Sequence, residues 1–330
     1  MELWLPLFFA GVMGLALLIY VILDGYDLGI GMLLPLADEE EKDRMIAAIG
    51  PFWDANETWL VLGIGVLLIA FPRAHSMVLT ALYLPVTLML MGLILRGVAF
   101  DFRVKAEAKY KNMWNRLFFV GSLTAAMSQG WMLGSYVMGL NPGLTSNLFS
   151  LGIALTLPAL YVMLGCGWLF VKTDGALYKK SGRWARTAIL PMGVGLFLIS
   201  IATPIASPDI ADKWFSLPAA IGLLPIPVTT AIAYAVALWV AGHERILDAG
   251  YGWLVFASML VICVMLALGL AYSIYPDIVI DKLSIQETAA STSSLKFAFV
   301  GVVIAVPMIF IYTIFIYRIF YGKASSLSYE

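Results

Sequence analysis

The chain has 330 residues, of which 62% are hydrophobic and 12% are charged, and its mean hydropathy is +0.92. A soluble domain carries about 25% charged residues, so this chain has too little polar surface to cover a water-soluble particle. The net charge of −1, without a basic tail or arm, gives no sign of nucleic-acid binding. The composition predicts a polytopic membrane protein.

Nine apolar runs follow one another along the chain, each about as long as the roughly 20 residues that cross about 30 Å of hydrocarbon. They cover approximately residues 3–34, 46–71, 76–99, 117–140, 147–171, 188–206, 220–241, 251–275 and 297–320. No polar linker between them is long enough to be a separate soluble domain. We therefore predict one all-α integral membrane domain over residues 1–330, with about nine transmembrane helices.

The distribution of Lys and Arg among the connections predicts how these spans are oriented. Alternate connections on one side receive fifteen of the twenty basic residues, the other side receives four, and Arg96 lies within a span. Cytoplasmic connections carry the excess of Lys and Arg in membrane proteins. The N-terminus is therefore expected outside and the C-terminus in the cytoplasm.

Five ionisable side chains fall inside predicted spans, where each costs about 2.5–3.5 kcal/mol by insertion scales and calls for a partner, a water path or a function. They are Asp24, Asp27, Asp54, Glu57 and Arg96. The predicted topology places all five about 5–16 Å from the inner boundary, at a rise of about 1.5 Å per residue. Three helices therefore bring their intramembrane charges to the cytoplasmic leaflet.

The spacing of the carboxylates indicates a group that handles protons. Asp24 and Asp27 are three residues apart, as are Asp54 and Glu57, so each pair shares one helix face. Four carboxylates facing one arginine cannot all be ionised at low dielectric, so at least one should exchange a proton near neutral pH, as a relay requires. Side chains able to hold water or orient a carboxylate surround the second pair. They are Trp53, Asn56, Thr58 and Trp59.

A structural interpretation of the same charges stays open. Arg96, paired with Asp101 or with one of the intramembrane acids, would tie the third helix to its neighbours, and we favour this charge-balancing role for it. The stretch DGYD (24–27) would be a polar break where the long first run leaves the membrane, with glycines that allow close helix approach. For Asp54 and Glu57 we favour a proton path, whereas the first pair fits both interpretations.

Ligands for a redox centre are scarce in the sequence. The two histidines, His75 and His243, fall on opposite sides of the membrane in the predicted topology, which argues against a bis-histidine haem within this chain. Ligation by methionine or by a single residue stays open. No phosphate-binding glycine loop, HExxH or CxxC cluster is present. We expect neither a catalytic residue nor a metal site in this chain.

Four ordered motifs resemble subunit II of bacterial cytochrome bd-type quinol oxidases. They are DGYDLGIGML (24–33), PFWDANETWL (51–60), RGVAFDFR (96–103) and KNMWNR (111–116). The resemblance implies two four-helix bundles plus one peripheral helix. Residues 1–140 would form the first bundle, with the charged motifs, and residues 147–330 the peripheral helix and second bundle. The compact second half resembles the cyanide-insensitive branch of the family.

The resemblance also implies a function, cofactors and partners. In that family, subunit I binds haems b and d, and the complex in the bacterial inner membrane oxidises ubiquinol or menaquinol and reduces dioxygen to water. Subunit II would form a pseudo-symmetric heterodimer with subunit I and add part of a proton path from the cytoplasm. The family's proton-path acid and its neighbouring tryptophan fall on Asp54 and Trp59. The resemblance leaves open a structural quinone in this chain and the presence of small single-helix accessory subunits and bound lipids.

Some positions depart from the family pattern. Gly97 and Ala99 stand where the family has Pro and Gly, and Phe52 stands where some members have His, which removes a titratable group from the entrance of the path. Glu57 occupies a position often filled by an amide. These changes put in doubt the chemistry of the path rather than its location.

Two functions from other classes compete with an oxidase subunit. One is a proton-coupled secondary transporter, since intramembrane carboxylates serve transporters too. Against it, the charges cluster in one leaflet rather than at the midplane, and the second half shows no matching repeat of broken helices. The other is a purely structural membrane scaffold subunit. Co-purification with a haem-containing chain would favour the oxidase.

Overall fold

Long helices make up most of the protein in a computed structural model that describes residues 4–324. Nine helices in this part of the chain have 18 or more residues. They are α1 (Trp4–Leu33), α3 (Trp53–Ala70), α5 (Tyr83–Lys105), α6 (Ala108–Val137), α7 (Leu144–Lys172), α8 (Gly175–Ala206), α11 (Pro225–Gly242), α13 (Trp253–Ile274) and α15 (Thr292–Ile319). The prediction of an all-α polytopic protein is confirmed.

Shorter elements connect the long helices. The short helices are α2 (Glu39–Ile49), α4 (Pro72–Ala81), α9 (Pro208–Phe215), α10 (Ala219–Leu223), α12 (Glu244–Asp248) and α14 (Ile285–Thr288). A 3₁₀ turn, Leu34–Leu36, follows α1, and β1 (Asp277–Val279) pairs antiparallel with β2 (Leu283–Ser284).

Eight of the nine long helices are apolar enough to cross a membrane, by length and composition, among the residues described. The remaining one, α6, has 30 residues but carries Lys, Arg, Asn, Ser and Gln side chains along its length. It packs along α5 on one side and α7 on the other. The polar side chains of its first turns, such as Lys109 and Arg116, are exposed, whereas later ones, such as Ser122 and Gln129, are buried.

Helix α1 lies at the centre of the packing. It contacts α3, α6 and α7, and α5 packs on α6. Helices α7, α8, α11 and α13 close a ring in which each packs on the next. Helix α15 lies against α3 and α1, and most of its side chains are exposed. Buried polar side chains concentrate around α1, which is where the candidate site lies.

The boundaries of two predicted spans differ from the structure. The run 46–71 is split, because α2 ends at Ile49 and α3 begins only at Trp53, after a turn that contains Pro51. Proline lacks the N–H that would continue the helix, so the chain turns there. Asp54 is thus the second residue of α3 and lies nearer the helix end than we predicted. Helix α5 continues past residue 99 to Lys105, which places Arg96 about 9 Å further from the end of its helix than the sequence indicated.

The end of α15 is fastened to α7. The Lys323 ammonium donates to the carbonyl oxygens of Val171 and Thr173, at 3.0 and 2.9 Å, and Lys172 Nζ donates to the Phe320 carbonyl at 2.6 Å. A cation near a helix C-terminus is favourable because it faces the exposed carbonyls of the last turn. Helix α15 is therefore held at its C-terminal end.

Candidate functional site at the buried charges

The DGYD stretch lies in the interior of the protein because α1 continues through it. Both Asp24 and Asp27 are fully buried, and the helix runs on to Leu33, so the alternative interpretation of this stretch as a break is not supported. A Cβ on Gly29 would lie 1.8 Å from the carbonyl oxygen of Tyr161. Glycine at this position thus allows the α7 backbone to press against α1. That close approach places the carboxylates between helices rather than at a surface.

Arg96 joins the charges of α1, α3 and α5. Its Nη1 lies 2.7 Å from Asp24 Oδ1, and its Nη2 forms a short ion pair with Glu57 Oε1. Arg96 is 1% exposed, and Gly121 lets the α6 backbone pass directly against the Arg96 backbone. The structure therefore brings together Asp24, Glu57 and Arg96. Pairing is what makes a buried charge tolerable in a low-dielectric interior.

Asp27 belongs to a second, separate network that α1, α3 and α15 share. Asn56 Nδ2 donates to Asp27 Oδ2 and to the Tyr26 hydroxyl, each at 2.8 Å. The Tyr317 hydroxyl of α15 donates to Asn56 Oδ1 at 3.1 Å and lies 2.5 Å from the Tyr26 hydroxyl. Among the residues described, Asp27 forms no ion pair. Its hydrogen-bond partner is a neutral amide rather than the guanidinium.

Asp54 and Trp59 lie apart from both networks. The Asp54 side chain is exposed, and no described residue forms an ion pair with it. It lies one turn before Glu57, whose side chain is 29% exposed, so this end of α3 presents an open, acidic surface. Trp59 is 1% exposed, packs edge-on to Phe310 of α15 at 4.8 Å, and its indole N–H has no hydrogen-bond partner among the described residues.

Asp101 is not brought to Arg96. The two residues are five positions apart on α5, which places them about 140° apart around the helix axis. Arg96 faces the interior, whereas Asp101 is exposed. Of the two alternatives for the partner of Arg96, Asp101 or one of the intramembrane acids, the structure has the second: acids from two other helices balance this cation.

A third group of polar side chains was missed by the sequence reasoning. The Tyr161 hydroxyl of α7 donates to Gln129 Oε1 of α6, and Gln129 Nε2 donates to the Tyr20 hydroxyl of α1 at 2.8 Å. Two signals pointed to it: Gln129 is a polar residue inside an apolar run, and Tyr20 lies one helical turn before Asp24. These groups carry no charge, so the charge pattern of the sequence does not reveal them.

The residues of this chain do not fit a bis-histidine haem. His75 lies in α4 and His243 lies between α11 and α12, at opposite ends of the helix bundle. The His243 Nδ1 atom is already 2.7 Å from the Trp239 carbonyl oxygen. Among the described residues, no group of three or more His, Cys, Asp or Glu side chains is arranged to hold a metal ion.

Comparisons with known proteins agree on one family. The sequence model of cytochrome bd terminal oxidase subunit II matches residues 5–320. Cytochrome bd ubiquinol oxidase subunit 2 of Bacillus subtilis is 31% identical over 180 residues, which cover 51% of this chain and 53% of that protein. Cytochrome bd-I ubiquinol oxidase subunit 2 of Escherichia coli K12 is 29% identical over 201 residues, which cover 54% of this chain and 51% of that protein. The chain thus spans about half the length of these curated relatives.

A solved structure has the same fold. A chain in the structure of bd oxidase from Geobacillus thermodenitrificans superposes with a TM-score of 0.76, at 17% sequence identity, and the match covers 96% of this chain and 98% of that one. An identity this low supports the shared fold alone. The family match carries the assignment, since it extends over nearly all of the sequence. The chain belongs to the cytochrome bd terminal oxidase subunit II family.

Proposed function

We propose that this chain is subunit II of a bd-type quinol oxidase, a complex of the bacterial inner membrane that oxidises quinol and reduces dioxygen to water. The observation that carries the proposal is the family match over residues 5–320. The haems b and d would reside in a partner subunit I, consistent with histidines at opposite ends of the bundle here. Subunit II would add assembly surface and a route for protons.

The proton route begins at the acidic end of α3. Asp54 is exposed there, so its carboxylate is able to take a proton from water, and Glu57 follows one turn further along the same helix. Glu57 is held by Arg96 on one side and is partly exposed on the other. A carboxylate with one fixed partner and one open side is suited to receive a proton and pass it on. Trp59, further along α3, packs against Phe310 of α15.

The orientation of the chain fits a route that starts in the cytoplasm. Fifteen of the twenty basic residues lie on the side that holds the end of α15, which is the side expected to face the cytoplasm. The acidic end of α3 lies on that same side, beside the C-terminal end of α15 and its Tyr317. With the N-terminus outside, Asp54 would draw protons from the cytoplasm.

The test is Asp54→Asn in the assembled complex, with oxygen consumption measured beside the haem absorption spectrum. We expect slower oxygen consumption with an unchanged haem spectrum and unchanged subunit content. Asp101→Asn is the matched control, because Asp101 is an exposed carboxylate on a neighbouring helix that does not contact Arg96. Full activity of Asp54→Asn would refute the relay. If the complex no longer assembles, Asp54 has a structural role instead of a relay role.

A further inference from the structure

Two arginines lie at one end of the seam between α8 and α11. The Nε atom of Arg186 donates to the carbonyl oxygen of Ala241, next to the C-terminal end of α11, and its Nη1 lies 3.5 Å from Glu244 Oε1. Arg183, about one turn earlier on α8, is exposed, and no described residue forms an ion pair with it. Two arginines and one glutamate leave this end of the seam with a positive charge.

The length of α8 places these arginines at the boundary of the membrane. From Arg186 to Ala206, α8 spans about 30 Å at a rise of about 1.5 Å per residue, which is the thickness of the hydrocarbon layer. Trp239, 55% exposed and near the same end of α11, has a position that tryptophans favour at a membrane interface. Arg183 therefore lies at the level of the lipid headgroups, in the leaflet that the distribution of basic residues predicts to be cytoplasmic.

An exposed apolar stripe of α8 continues from Arg183 into the hydrocarbon region. Its members recur every three or four residues and, at about 100° per residue, lie within about 40° of Arg183 around the helix axis. They are Leu190, Val194, Phe197 and Ile201. The contacts with α11 lie about 100° away: the Ile189 carbonyl accepts from the Tyr234 hydroxyl at 3.1 Å, and a Cβ on Gly193 would lie 2.5 Å from that hydroxyl. The stripe therefore runs alongside the seam.

Helix α11 forms the other side of this strip. The two helices run antiparallel, and on each the exposed residues are rotated in the same sense from the contact positions, so both stripes face the same side of the seam. The exposed residues of α11 are Val228, Ala231, Ala235 and Leu238. Because two of them are alanines beside the bulkier side chains of α8, the strip is a shallow apolar groove.

We propose that this groove binds an anionic phospholipid, with the phosphate between Arg183 and Arg186 and one acyl chain along the apolar strip. The bond to Ala241 fixes the Arg186 guanidinium before a phosphate arrives, and a guanidinium matches the geometry of phosphate oxygens. Cations at headgroup level and apolar side chains at hydrocarbon level follow one line, as do the two parts of a phospholipid. A zwitterionic lipid has no net negative charge to balance the arginines. The bound lipid joins α8 to α11 across the seam.

The test is Arg183→Gln in the whole purified complex, with bound lipids counted by native mass spectrometry. The delipidated complex is titrated with phosphatidylglycerol or with phosphatidylcholine. We expect wild type to bind phosphatidylglycerol more tightly, and Arg183→Gln to weaken that binding about fivefold, the effect of one basic residue near an anionic lipid surface. Arg183→Lys keeps the charge and should stay nearer to wild type. Arg116→Gln is the matched control, because Arg116 is an exposed arginine of α6 without an ion pair among the described residues.

A second measurement identifies what occupies the groove in the native membrane. A photocrosslinking amino acid in place of Phe197 should form an adduct with the mass of a phospholipid, and the same position in an Arg183→Gln background should form less of it. Thermal unfolding of Arg183→Gln in lipid-free detergent should match wild type, because the substituted side chain is exposed.

Three results would overturn the proposal. The first is equal binding of phosphatidylglycerol by wild type and Arg183→Gln, or equal binding of the two lipids by wild type. The second is an adduct at position 197 with a protein chain, or an adduct that does not depend on Arg183, since the groove would then have another occupant. The third is a lower unfolding temperature of Arg183→Gln before lipid is added, which would give Arg183 a role in the fold instead.

Discussion

Two carboxylate pairs with the same spacing have opposite surroundings in this protein. On α1, Asp24 and Asp27 are fully buried, one against Arg96 and the other against Asn56. On α3, Asp54 is exposed and Glu57 is partly exposed, and of that pair only Glu57 meets the cation. The α1 pair is held by the packing of several helices, whereas the α3 pair lies at a helix end open to its surroundings.

The difference follows from how each helix is covered. Helix α1 is packed by α3, α6 and α7, so any polar group on it must find a partner within the protein. The first turns of α3 follow the turn at Pro51, where coverage is incomplete. Burial fixes a carboxylate to its partner, and exposure leaves it free to exchange a proton with water. We therefore propose that the α1 pair stabilises the protein and that the α3 pair exchanges protons.

The largest effect should come from removing the shared cation. Arg96→Leu leaves Asp24 buried without a counter-charge, which costs about 3–5 kcal/mol for a buried pair broken on one side. We expect little assembled complex, measured by size-exclusion chromatography of the solubilised membrane and by thermal unfolding. Asp101→Asn, on the exposed face of the same helix, should match wild type. Normal yield and stability of Arg96→Leu would mean that the ion pairs do not hold these helices.

A smaller loss should follow from pushing α1 away from α7. In Gly29→Ala the new methyl group would lie 1.8 Å from the Tyr161 carbonyl oxygen, so the backbones must separate. Overpacking of this kind costs about 1–3 kcal/mol. Gly11→Ala on the same helix is the control, because nothing lies within 4 Å of the added atom and alanine favours helix. The prediction fails if both variants unfold at the same temperature.

A still smaller loss of stability is expected from a change in α15. Tyr317→Phe removes the hydroxyl that donates to Asn56 and contacts Tyr26, a loss of about 1 kcal/mol for one net hydrogen bond. Thermal unfolding should show a modest decrease, and hydrogen exchange should be faster at the end of α15. Tyr312→Phe, at a 55% exposed position of α15, should show neither effect. If the two variants have the same unfolding temperature and the same hydrogen exchange, the hydrogen bonds that link Tyr317 to the Asp27 network do not hold α15 in place.

The smallest change in stability is expected at the α3 pair. Asp54→Asn alters an exposed side chain without an ion pair among the described residues, and such surface substitutions change the unfolding free energy by about 0.5 kcal/mol or less. Thermal unfolding of the purified complex should match wild type within that range. A large decrease would show that Asp54 is covered and bonded in the assembled complex.

Topology and charge counting predicted much of this site, and packing decided the rest. That Asp24, Glu57 and Arg96 meet could be inferred because alternating spans place them in one leaflet. Arg96 does not pair with Asp101 because the two lie on different faces of α5, and the sequence does not tell which face is covered. The separation of Asp27 from Arg96 depends on Asn56 and Tyr317, neutral residues that no charge count includes. Helix α2 escaped prediction because its apolar end, 45–49, merges with the α3 run across Pro51.

The most direct test of the division between the two pairs compares Asp24→Asn with Asp54→Asn in the same complex. Thermal unfolding and oxygen consumption per haem would be measured on each purified protein. We expect Asp24→Asn to lower the unfolding temperature clearly, and Asp54→Asn to slow oxygen consumption at an unchanged unfolding temperature. The reverse pattern, or equal losses of stability in both variants, would contradict the assignment of structure to α1 and proton exchange to α3.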